Sequence, residues 1–344
     1  MTSSSCNPEE LEHRVLQVTG LPPSAWPRLS KAVKWLREAD AVLVVAGAGM
    51  SGNPGEMVYT NPRDFAKYYP WLLPYGYTTC YDCMGLLSDR SVPDALKRTY
   101  LVAHAYNQRY RFAPNPSYAA LLRCLQAMDK DYFVYTSNVD GCFERAGFKA
   151  DNIYTPQGDW SYMQCERPCT RDSYWLAQPH LDKLAPLVPD LEGKLPTCPR
   201  CGGPAVGSVR GGDWFTHAQY DDAQDRFVKW VHEQQQHGRK LAILEIGVGF
   251  NTPIVTRWPM EQICRETLNG TLIRLNPKDC DVPADLQGAR AVGLRCGWGA
   301  DIAGLLFDPA VLALKANDGH TSDTPPGGPK KVVDWHAVLA SLRR

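Results

Sequence analysis

A short apolar run followed by a glycine turn is the feature that most constrains this chain. The run Ala41-Val42-Leu43-Val44-Val45-Ala46 is too short for an ordinary helix, and three of its six residues are β-branched. A continuous apolar run of this length predicts a strand buried on both faces, as in a parallel sheet covered by helices. The sequence therefore predicts an α/β fold with a Rossmann-like parallel sheet and helices on both faces.

Gly47 and Gly49 follow this strand and predict a tight turn that leaves room for another molecule to approach the backbone. After the first strand of an α/β sheet, such a turn directs backbone N–H groups toward a phosphate group. At this point a phosphate-binding turn and a purely structural turn are both open.

Further apolar runs complete an alternating α/β pattern. Within residues 27–38, apolar side chains recur at helical spacing, which predicts a helix before the first strand. The later predicted elements are helices at 95–109, 117–128 and 218–236, and strands at 131–136, 152–155, 241–246, 271–276 and 291–294.

Polar residues directly follow two of these strands. Asn138 and Asp140 follow one predicted strand, and Gln157 and Asp159 follow the next. Ligands of open parallel sheets bind at the carboxyl ends of the strands, so we expect a binding edge here. An amide and a carboxylate could bind a carboxamide or ribose hydroxyls there. Alternatively, Asn138 and Asp140 cap the helix that follows them.

The chain has 344 residues, with 37 basic and 37 acidic side chains. This balance gives no global field that would attract nucleic acid or an anionic membrane, and no apolar run is long enough to span a bilayer. The first ten residues lack the apolar core of a secretory signal, so we expect a reducing, cytoplasmic location.

Six of the twelve cysteines form three close pairs. Cys165-x3-Cys169 and the knuckle Cys198-Pro-Arg-Cys201-Gly can place four thiolates around one Zn²⁺ ion, which predicts a structural zinc site with no open coordination position. Cys80 and Cys83 have no second pair nearby, so we interpret their spacing as fortuitous.

These features predict a main domain with two insertions. The predicted segments are a flexible polar tail at 1–26, the main domain at 27–159 and 217–314, a helical or lid insertion at 53–116, a zinc-binding module at 160–216, a disordered linker at 315–330 and a terminal helix at 331–344. The aromatic-rich insertion is expected to be a lid, with plain core as the alternative.

The order of the motifs resembles the sirtuins. The motifs are a Gly-Ala-Gly-x-Ser turn at 47–51, the T-x-N-x-D strand end at 136–140, the four-cysteine module, the G-x-G-x-N strand end at 247–251 and a later Leu275-Asn276-Pro277. The match covers about residues 27–310. It implies a Rossmann-like domain that binds NAD, with a small zinc module inserted.

The sequence departs from the protein-deacylase pattern at two places. The G-I-P-D-F-R run is missing after Ser51, and the H-G motif of the deacylases is Gln157-Gly158 here. The segments 136–140, 154–159 and 245–253 are most similar to class M sirtuins, which are macrodomain-associated protein mono-ADP-ribosyltransferases. Glutamine has no titratable nitrogen that could act as a general base near neutral pH, but it can hydrogen-bond a ribose hydroxyl.

The resemblance implies roles for individual residues. It assigns Asn138, Asp140 and Gln157 to catalysis, the last of them on the ribose hydroxyls. The implied NAD contacts are Gly47, Ala48, Gly49, Ser51, Tyr59, Asn138, Asp140, Gln157, Gly247, Val248, Asn251, Thr252, Asn276, Gly299 and Ala300. Packing is the alternative role for Tyr59.

The resemblance also implies a function and partners. The expected reaction is the transfer of ADP-ribose from NAD to an acceptor protein with release of nicotinamide. The implied partners are a lipoylated carrier protein of the glycine-cleavage H type and a macrodomain hydrolase, in a setting of oxidative stress. The alternatives are an NAD-dependent deacylase or NAD glycohydrolase in which another residue replaces the histidine, and a catalytically inactive NAD sensor.

Overall fold

A computed structural model describes residues 7–51, 61–191, 196–212 and 214–314, together with Ala337 and Ala340. The strands of this part of the chain are β1 (Ala41–Ala46), β2 (Asp131–Thr136), β3 (Ile153–Tyr154), β4 (Gly158–Cys165), β5 (Tyr174–Leu176), β6 (Ala205–Val209), β7 (Leu241–Ile246), β8 (Gly270–Leu275) and β9 (Ala291–Leu294). Its helices are α1 (Pro8–Thr19), α2 (Trp26–Glu38), α3 (Ala48–Ser51), α4 (Pro62–Tyr68), α5 (Asp94–Tyr106), α6 (Pro116–Ala127), α7 (Cys142–Arg145), α8 (Gln178–Leu184), α9 (Asp221–Gln236), α10 (Arg257–Glu266) and α11 (Ala300–Phe307).

The main sheet has the strand order β3-β2-β1-β7-β8-β9, and every neighbouring pair is parallel. Ala41 of β1 lies opposite Asp131 of β2 on one side and Leu241 of β7 on the other. The chain order therefore reverses between β1 and β7. In open parallel sheets such a switch point opens a crevice at the carboxyl ends of the strands, where ligands bind.

Helices cover both faces of this sheet. Val42 and Val44 of β1 belong to the core on one face, which includes residues of α1, α2, α6 and α11. Leu43 and Val45 belong to the core on the other face, which includes residues of α9 and α10. All six residues of β1 are buried, so the predicted doubly covered strand and the predicted fold class are confirmed.

The segment at 1–26, predicted to be a flexible polar tail, contains a helix instead. Asn7 caps α1 by accepting a hydrogen bond from the backbone N–H of Glu9. Leu11 and Val15, four residues apart on one helix face, are buried in the core of the main domain. The prediction is therefore wrong for residues 8–26, because two apolar residues on one face are enough to dock an otherwise polar helix.

The helical insertion has an apolar core of its own. Phe65 and Tyr69 pack together, and Tyr69 contacts Tyr100 of α5 edge to face. After Tyr106 the helix continues as a π-helical turn over Asn107–Arg111. The aromatic residues therefore serve as core, and movement of this insertion as a lid stays a prediction.

The cysteine-rich module contains a three-stranded antiparallel sheet of order β5-β4-β6. Tyr162 of β4 lies opposite Leu176, and Cys165 lies opposite Ala205. This sheet follows directly from the end of β3, so the module is attached next to the binding edge of the main sheet.

Some predictions fall outside the described residues: the linker at 315–330, the terminal helix at 331–344 apart from Ala337 and Ala340, and Tyr59. Within the described ranges, none of the helices combines the length and the apolar character needed to cross a bilayer.

Candidate functional site

Two glycine turns pack against each other at the switch point. The N–H of Gly49 donates to the carbonyl of Gly247, at 3.1 Å between N and O. A Cβ atom on Gly49 would lie 2.8 Å from Cα of Gly247, and one on Gly247 would lie 2.5 Å from the carbonyl carbon of Gly49. Side chains at these positions are therefore excluded by the opposite turn, so part of the predicted open space is filled by the protein itself.

The segment 47–52 has the glycine spacing G-x-G-x-x-G of dinucleotide-binding turns. The turn follows β1 directly and leads into α3, at the carboxyl edge of the sheet. This is the place at which α/β folds bind a pyrophosphate, and a phosphate-binding role for the turn stays a prediction.

A hydrogen-bond network joins this turn to the segment after β2. Asn138 Nδ2 donates to the carbonyl of Gly47 at 3.0 Å and to Ser51 Oγ at 3.2 Å. Ser51 Oγ donates to Asp140 Oδ2 at 2.7 Å and lies 3.0 Å from the hydroxyl of Tyr118. Because the single hydroxyl proton of Ser51 is directed to Asp140, the Tyr118 hydroxyl donates to Ser51. Burial and the nearby Asp140 charge raise the pKa of Tyr118 well above its ordinary value.

Asp140 also contacts the start of α7, whose N-cap residue is Gly141. Its Oδ1 accepts a hydrogen bond from the backbone N–H of Cys142, the first residue of α7, at 2.9 Å. The carboxylate thus binds both the first N–H of α7 and Ser51, whereas the side chain of Asn138 belongs to the network alone. Asn138 and Asp140 are both almost fully buried, at 6% and 2% exposure, which fixes their orientation.

The network forms one wall of a cleft of about 570 Å³ at the carboxyl edge of the sheet. The cleft brings together most of the residues that the sequence predicted to contact NAD. These are Gly47, Ala48, Gly49, Asn138, Gln157, Gly247, Val248, Asn251, Thr252 and Asn276.

Other predicted residues have different positions. Ser51 and Asp140 lie behind the wall of the cleft and reach it through Asn138. Gly299 and Ala300 stand at the start of α11 and are not among the residues that line the cleft. Asn276 lines the cleft, but its Oδ1 accepts the N–H groups of Lys278 and Asp279, and its Nδ2 donates to the carbonyl of Val248.

The cleft also contains residues that the sequence reasoning missed. Arg210 follows β6 of the cysteine-rich module, and Lys278 follows β8, so two cations face the cleft. Phe250 and Asp279 line it as well, and Phe250 is 55% exposed. A basic or aromatic residue shortly after a predicted strand is the sequence signal that could have found Lys278 and Phe250. Arg210 lies in the inserted module, where no strand was predicted.

Gln157, which by the sequence resemblance replaces the histidine of the deacylase H-G motif, lines the cleft. An adjoining apolar cavity of about 680 Å³ shares Ala48, Val139 and Arg210 with the cleft and contains His104. Burial lowers the pKa of His104 to about 4, so its imidazole is neutral and weakly basic at neutral pH. His104 is therefore a poor replacement for a histidine base.

The four predicted zinc ligands meet in the module. Their Sγ atoms all lie within 4.8 Å of one another, with Cys165 and Cys201 at 3.7 Å and Cys169 and Cys198 at 3.9 Å. Four sulfurs bound tetrahedrally at zinc–sulfur distances of about 2.3 Å would be separated by about 3.8 Å. The cluster therefore fits one zinc ion, which would bind all four thiolates and stabilise the module. Cys80 and Cys83 are buried in the apolar core of the helical insertion instead.

No protein-family model matches the chain. Over 242 residues it is 36% identical to a probable bifunctional ADP-ribose hydrolase/ADP-ribosyltransferase of Fusarium oxysporum f. sp. cubense, covering 68% of this chain and 40% of that relative. The chain thus spans less than half the length of this relative. It is 24% identical to a protein ADP-ribosyltransferase of Staphylococcus aureus (strain Mu50), covering 73% of this chain and 78% of the relative. It is 25% identical to an NAD-dependent protein deacylase of Deinococcus radiodurans, covering 75% of this chain and 91% of that relative.

The fold is similar to that of a Sir2 homologue solved as a complex with NAD. The superposition covers 83% of this chain and 94% of that chain, with a TM-score of 0.53 and 17% sequence identity. This likeness concerns the fold, and the order of motifs along the chain agrees with it. The chain therefore has a sirtuin-like fold, and the order of its motifs resembles that of the sirtuins.

Proposed function

We propose that this chain is an NAD-dependent protein mono-ADP-ribosyltransferase of the sirtuin type, similar to class M sirtuins. The bond between nicotinamide and C1′ of the ribose breaks, a nucleophile of an acceptor protein bonds to C1′, and nicotinamide and the proton of the nucleophile are released. The observation that carries the proposal is the cleft, which joins the glycine turns, Asn138 and Gln157. The two relatives named as ADP-ribosyltransferases support it.

The arrangement of side chains is suited to breaking the glycosidic bond. Asn138 is held by the Gly47 carbonyl and Ser51, so its amide has a fixed orientation, which supports our proposal that it contacts the nicotinamide end of NAD. Arg210 and Lys278 provide positive charge for the pyrophosphate. Gln157 can hydrogen-bond the ribose but cannot remove a proton, which favours capture by an external nucleophile over the second half of deacylation.

The proposal includes a structural zinc ion and two protein partners. The four-cysteine cluster supports the zinc ion. For the acceptor we propose a lipoylated carrier protein of the H type, on the basis of the class M resemblance. The Fusarium relative is named as both a hydrolase and a transferase, which supports pairing with an ADP-ribose hydrolase.

The test is to incubate the purified chain with NAD labelled in its ADP-ribose half, in the presence of lysate from its source or a purified lipoylated H-type carrier. We expect label on a discrete protein band and stoichiometric release of nicotinamide. Asn138→Ala should abolish both. Asn269→Ala, an exposed asparagine at the opposite end of the sheet, should leave both unchanged.

The alternative function is deacylation, which the Deinococcus relative named as a deacylase favours. It predicts nicotinamide release that requires an acylated peptide, together with O-acyl-ADP-ribose and no labelled protein. Binding of NAD without nicotinamide release in either assay would contradict both activities and leave an NAD sensor.

A further inference from the structure

A π-helical turn joins the helical insertion to the segment that follows β2. It spans Asn107–Arg111 after the end of α5, and the N–H of Phe112 donates to the carbonyl of Asn107, five residues earlier, at 2.9 Å. Turns of this type are rare and are frequently found at functional sites. This one places the side chain of Arg109 in the interior, at 8% exposure. Because a buried cation needs compensating charge, the contacts of Arg109 indicate what the turn positions.

The guanidinium of Arg109 lies against the backbone directly after Asp140. A Cβ atom on Gly141 would overlap with Arg109 Nη1, so a side chain at this position is excluded. Gly141 also has φ of +64°, a conformation that favours glycine. Within the described part of the chain, Nη1 has no hydrogen-bond partner. The guanidinium is therefore held by its other two nitrogens.

Two carboxylates from different segments bind these nitrogens. Arg109 Nη2 donates to Oε2 of Glu144 on α7, the helix that follows the segment of Asn138. Arg109 Nε lies 3.5 Å from Oδ1 of Asp159, two residues after Gln157. Asp159 is itself buried, at 8% exposure, so this ion pair is shielded from water. One cation thus joins the two segments that bring Asn138 and Gln157 to the cleft.

Arg145, the last residue of α7, makes the reciprocal contact. Its Nη1 donates to the carbonyl of Gln108 at 3.1 Å, and its Nη2 donates to the carbonyl of Phe112. Gln108 lies in the π-helical turn and Phe112 directly follows it. Arg109 therefore reaches from the turn to α7, while Arg145 reaches from α7 back to the turn. This pair of contacts fixes the helical insertion against the segment after β2.

Arg109 lies behind the wall of the cleft. Asn138 borders both the cleft and a second cavity of about 660 Å³, and Arg109 lines only the second cavity. A ligand in the cleft can therefore reach Asn138 and Gln157 without touching Arg109. The N–H of Trp160 donates to the carbonyl of Val139 at 3.1 Å, so the two segments are also joined through their backbones. Arg109 adds a side-chain link on the far side of this junction.

We propose that Arg109 is a positioning residue for the cleavage of NAD, because it sets the placement of Asn138 relative to Gln157. This inference rests on the proposed use of NAD as the donor. A displacement of a contacting group by about 1 Å can lower a reaction rate by about 100-fold. Most residues that line the cleft lie on other segments, so the affinity for NAD does not depend on Arg109. Loss of this side chain therefore affects the rate and not the binding.

The test separates kcat from NAD affinity in Arg109→Met. Nicotinamide release is measured at saturating NAD, once with a purified lipoylated H-type carrier and once with an acylated peptide. The Kd for NAD is measured by calorimetry on the full chain. We expect kcat to fall by about 10- to 100-fold while Kd stays within about threefold of the wild type. Arg109→Lys should restore part of the rate, because an ammonium group can still pair with one of the two carboxylates.

Arg265→Met is the matched control. Arg265 also pairs with a carboxylate, with Nε 2.8 Å from Asp285 Oδ2, and neither residue lines the cleft. This variant should leave kcat and Kd unchanged.

A second variant tests the link to the segment after β3. Asp159→Asn keeps an oxygen that can accept the N–H of Ser161, but it removes the charge that pairs with Arg109. It should lower kcat as well, and the double variant with Arg109→Met should lose little more than Arg109→Met alone, because the two side chains act as one unit. If Arg109→Met does not fold, the kcat and Kd of Asp159→Asn decide.

An unchanged kcat in Arg109→Met would overturn the inference and leave the proposed function intact. A Kd that rises as much as kcat falls would also overturn it, because Arg109 would then support the cleft as a whole. Nicotinamide release with the acylated peptide alone would refute the proposed transfer, and the same comparison of kcat and Kd would still decide the role of Arg109. A wild type that releases no nicotinamide with either acceptor would refute both.

Discussion

Ser51 donates a hydrogen bond to Asp140, with 2.7 Å between Oγ and Oδ2, and so joins the turn after β1 to the segment after β2. The same hydroxyl oxygen accepts from Asn138 Nδ2, at 3.2 Å. One serine therefore fixes both polar residues that follow β2. Asn138 faces the cleft, and Asp140 stays buried at its back.

Replacing Ser51 with alanine should destabilise the protein and lower its activity. The buried Asp140 Oδ2 would lose its donor, and an unsatisfied buried group costs about 1–3 kcal/mol. We expect urea unfolding to show this loss in the free energy of unfolding. We also expect a lower rate of nicotinamide release, because Asn138 loses its contact with Ser51 Oγ. Ser91→Ala is the control, since Ser91 Oγ donates to Asp89 Oδ1 at 2.7 Å on the exposed surface. An equal loss of stability in both variants would contradict the importance of the buried network.

Gly247→Ala should destabilise the junction of the two glycine turns. Gly247 has φ of +62° and no space for a Cβ, since Gly49 and Met50 backbone atoms would lie within 2.6 Å. Gly288 is the matched control, with φ of +72° and nothing within 4 Å of its Cβ position. Gly288→Ala should cost about 1 kcal/mol from the left-handed backbone alone. Gly247→Ala should cost at least about 2 kcal/mol more, from the clash. Equal midpoints of urea unfolding for the two variants would refute close packing of the turns.

Much of the fold follows from local sequence. The bounds of β1, β2, β7 and β9 agree with the prediction, because each is an apolar run between polar residues or turns. The side chains of Asn138 and Gln157 meet at the cleft because parallel strands bring their carboxyl ends to one edge. The four cysteines likewise meet as their spacing predicted.

What sequence reasoning missed depends on contacts between distant segments. Arg210 reaches the cleft from the inserted module, and its position depends on how β6 pairs with β4. Nor does the sequence indicate that the Asn276 side chain, whose predicted adenosine contact stays a prediction, accepts the N–H groups of Lys278 and Asp279. Arg274 is a charged residue on a buried strand, which indicates a buried partner of opposite charge. That partner, Glu245, is 29 residues away in the chain, so local sequence does not identify it.

Removal of a zinc ligand should release the metal and unfold the module. We expect one zinc per chain by elemental analysis, and Cys169→Ser should lower it to near zero with a large loss of thermal stability. Cys169 is exposed, so its replacement would be nearly neutral if it bound no metal. Cys124→Ser is the control, because Cys124 lies in the main domain with Sγ 3.8 Å from the Ala303 carbonyl. Retention of zinc by Cys169→Ser would contradict the four-cysteine site.

Acidification should destabilise the protein through His104. Burial lowers the pKa of this imidazole to about 4 in the folded state, against 6.5 in the unfolded chain. Between these two values the unfolded state binds the extra proton, so the free energy of unfolding falls as the pH decreases from 6.5 to 4. From pH 7 to pH 5 this single imidazole lowers the free energy of unfolding by about 2 kcal/mol.

The measurement is urea unfolding at pH 7 and pH 5 in the wild type and in His104→Gln. The variant lacks the titrating imidazole. Its free energy of unfolding should therefore fall between pH 7 and pH 5 by about 2 kcal/mol less than that of the wild type, whatever its stability at pH 7. His180→Gln is the control, because His180 is exposed and its replacement leaves the core filled. An identical pH dependence in the wild type and His104→Gln would show that His104 is protonated without cost in the fold. It would then be available as a base beside the cleft, which would favour the deacylase alternative.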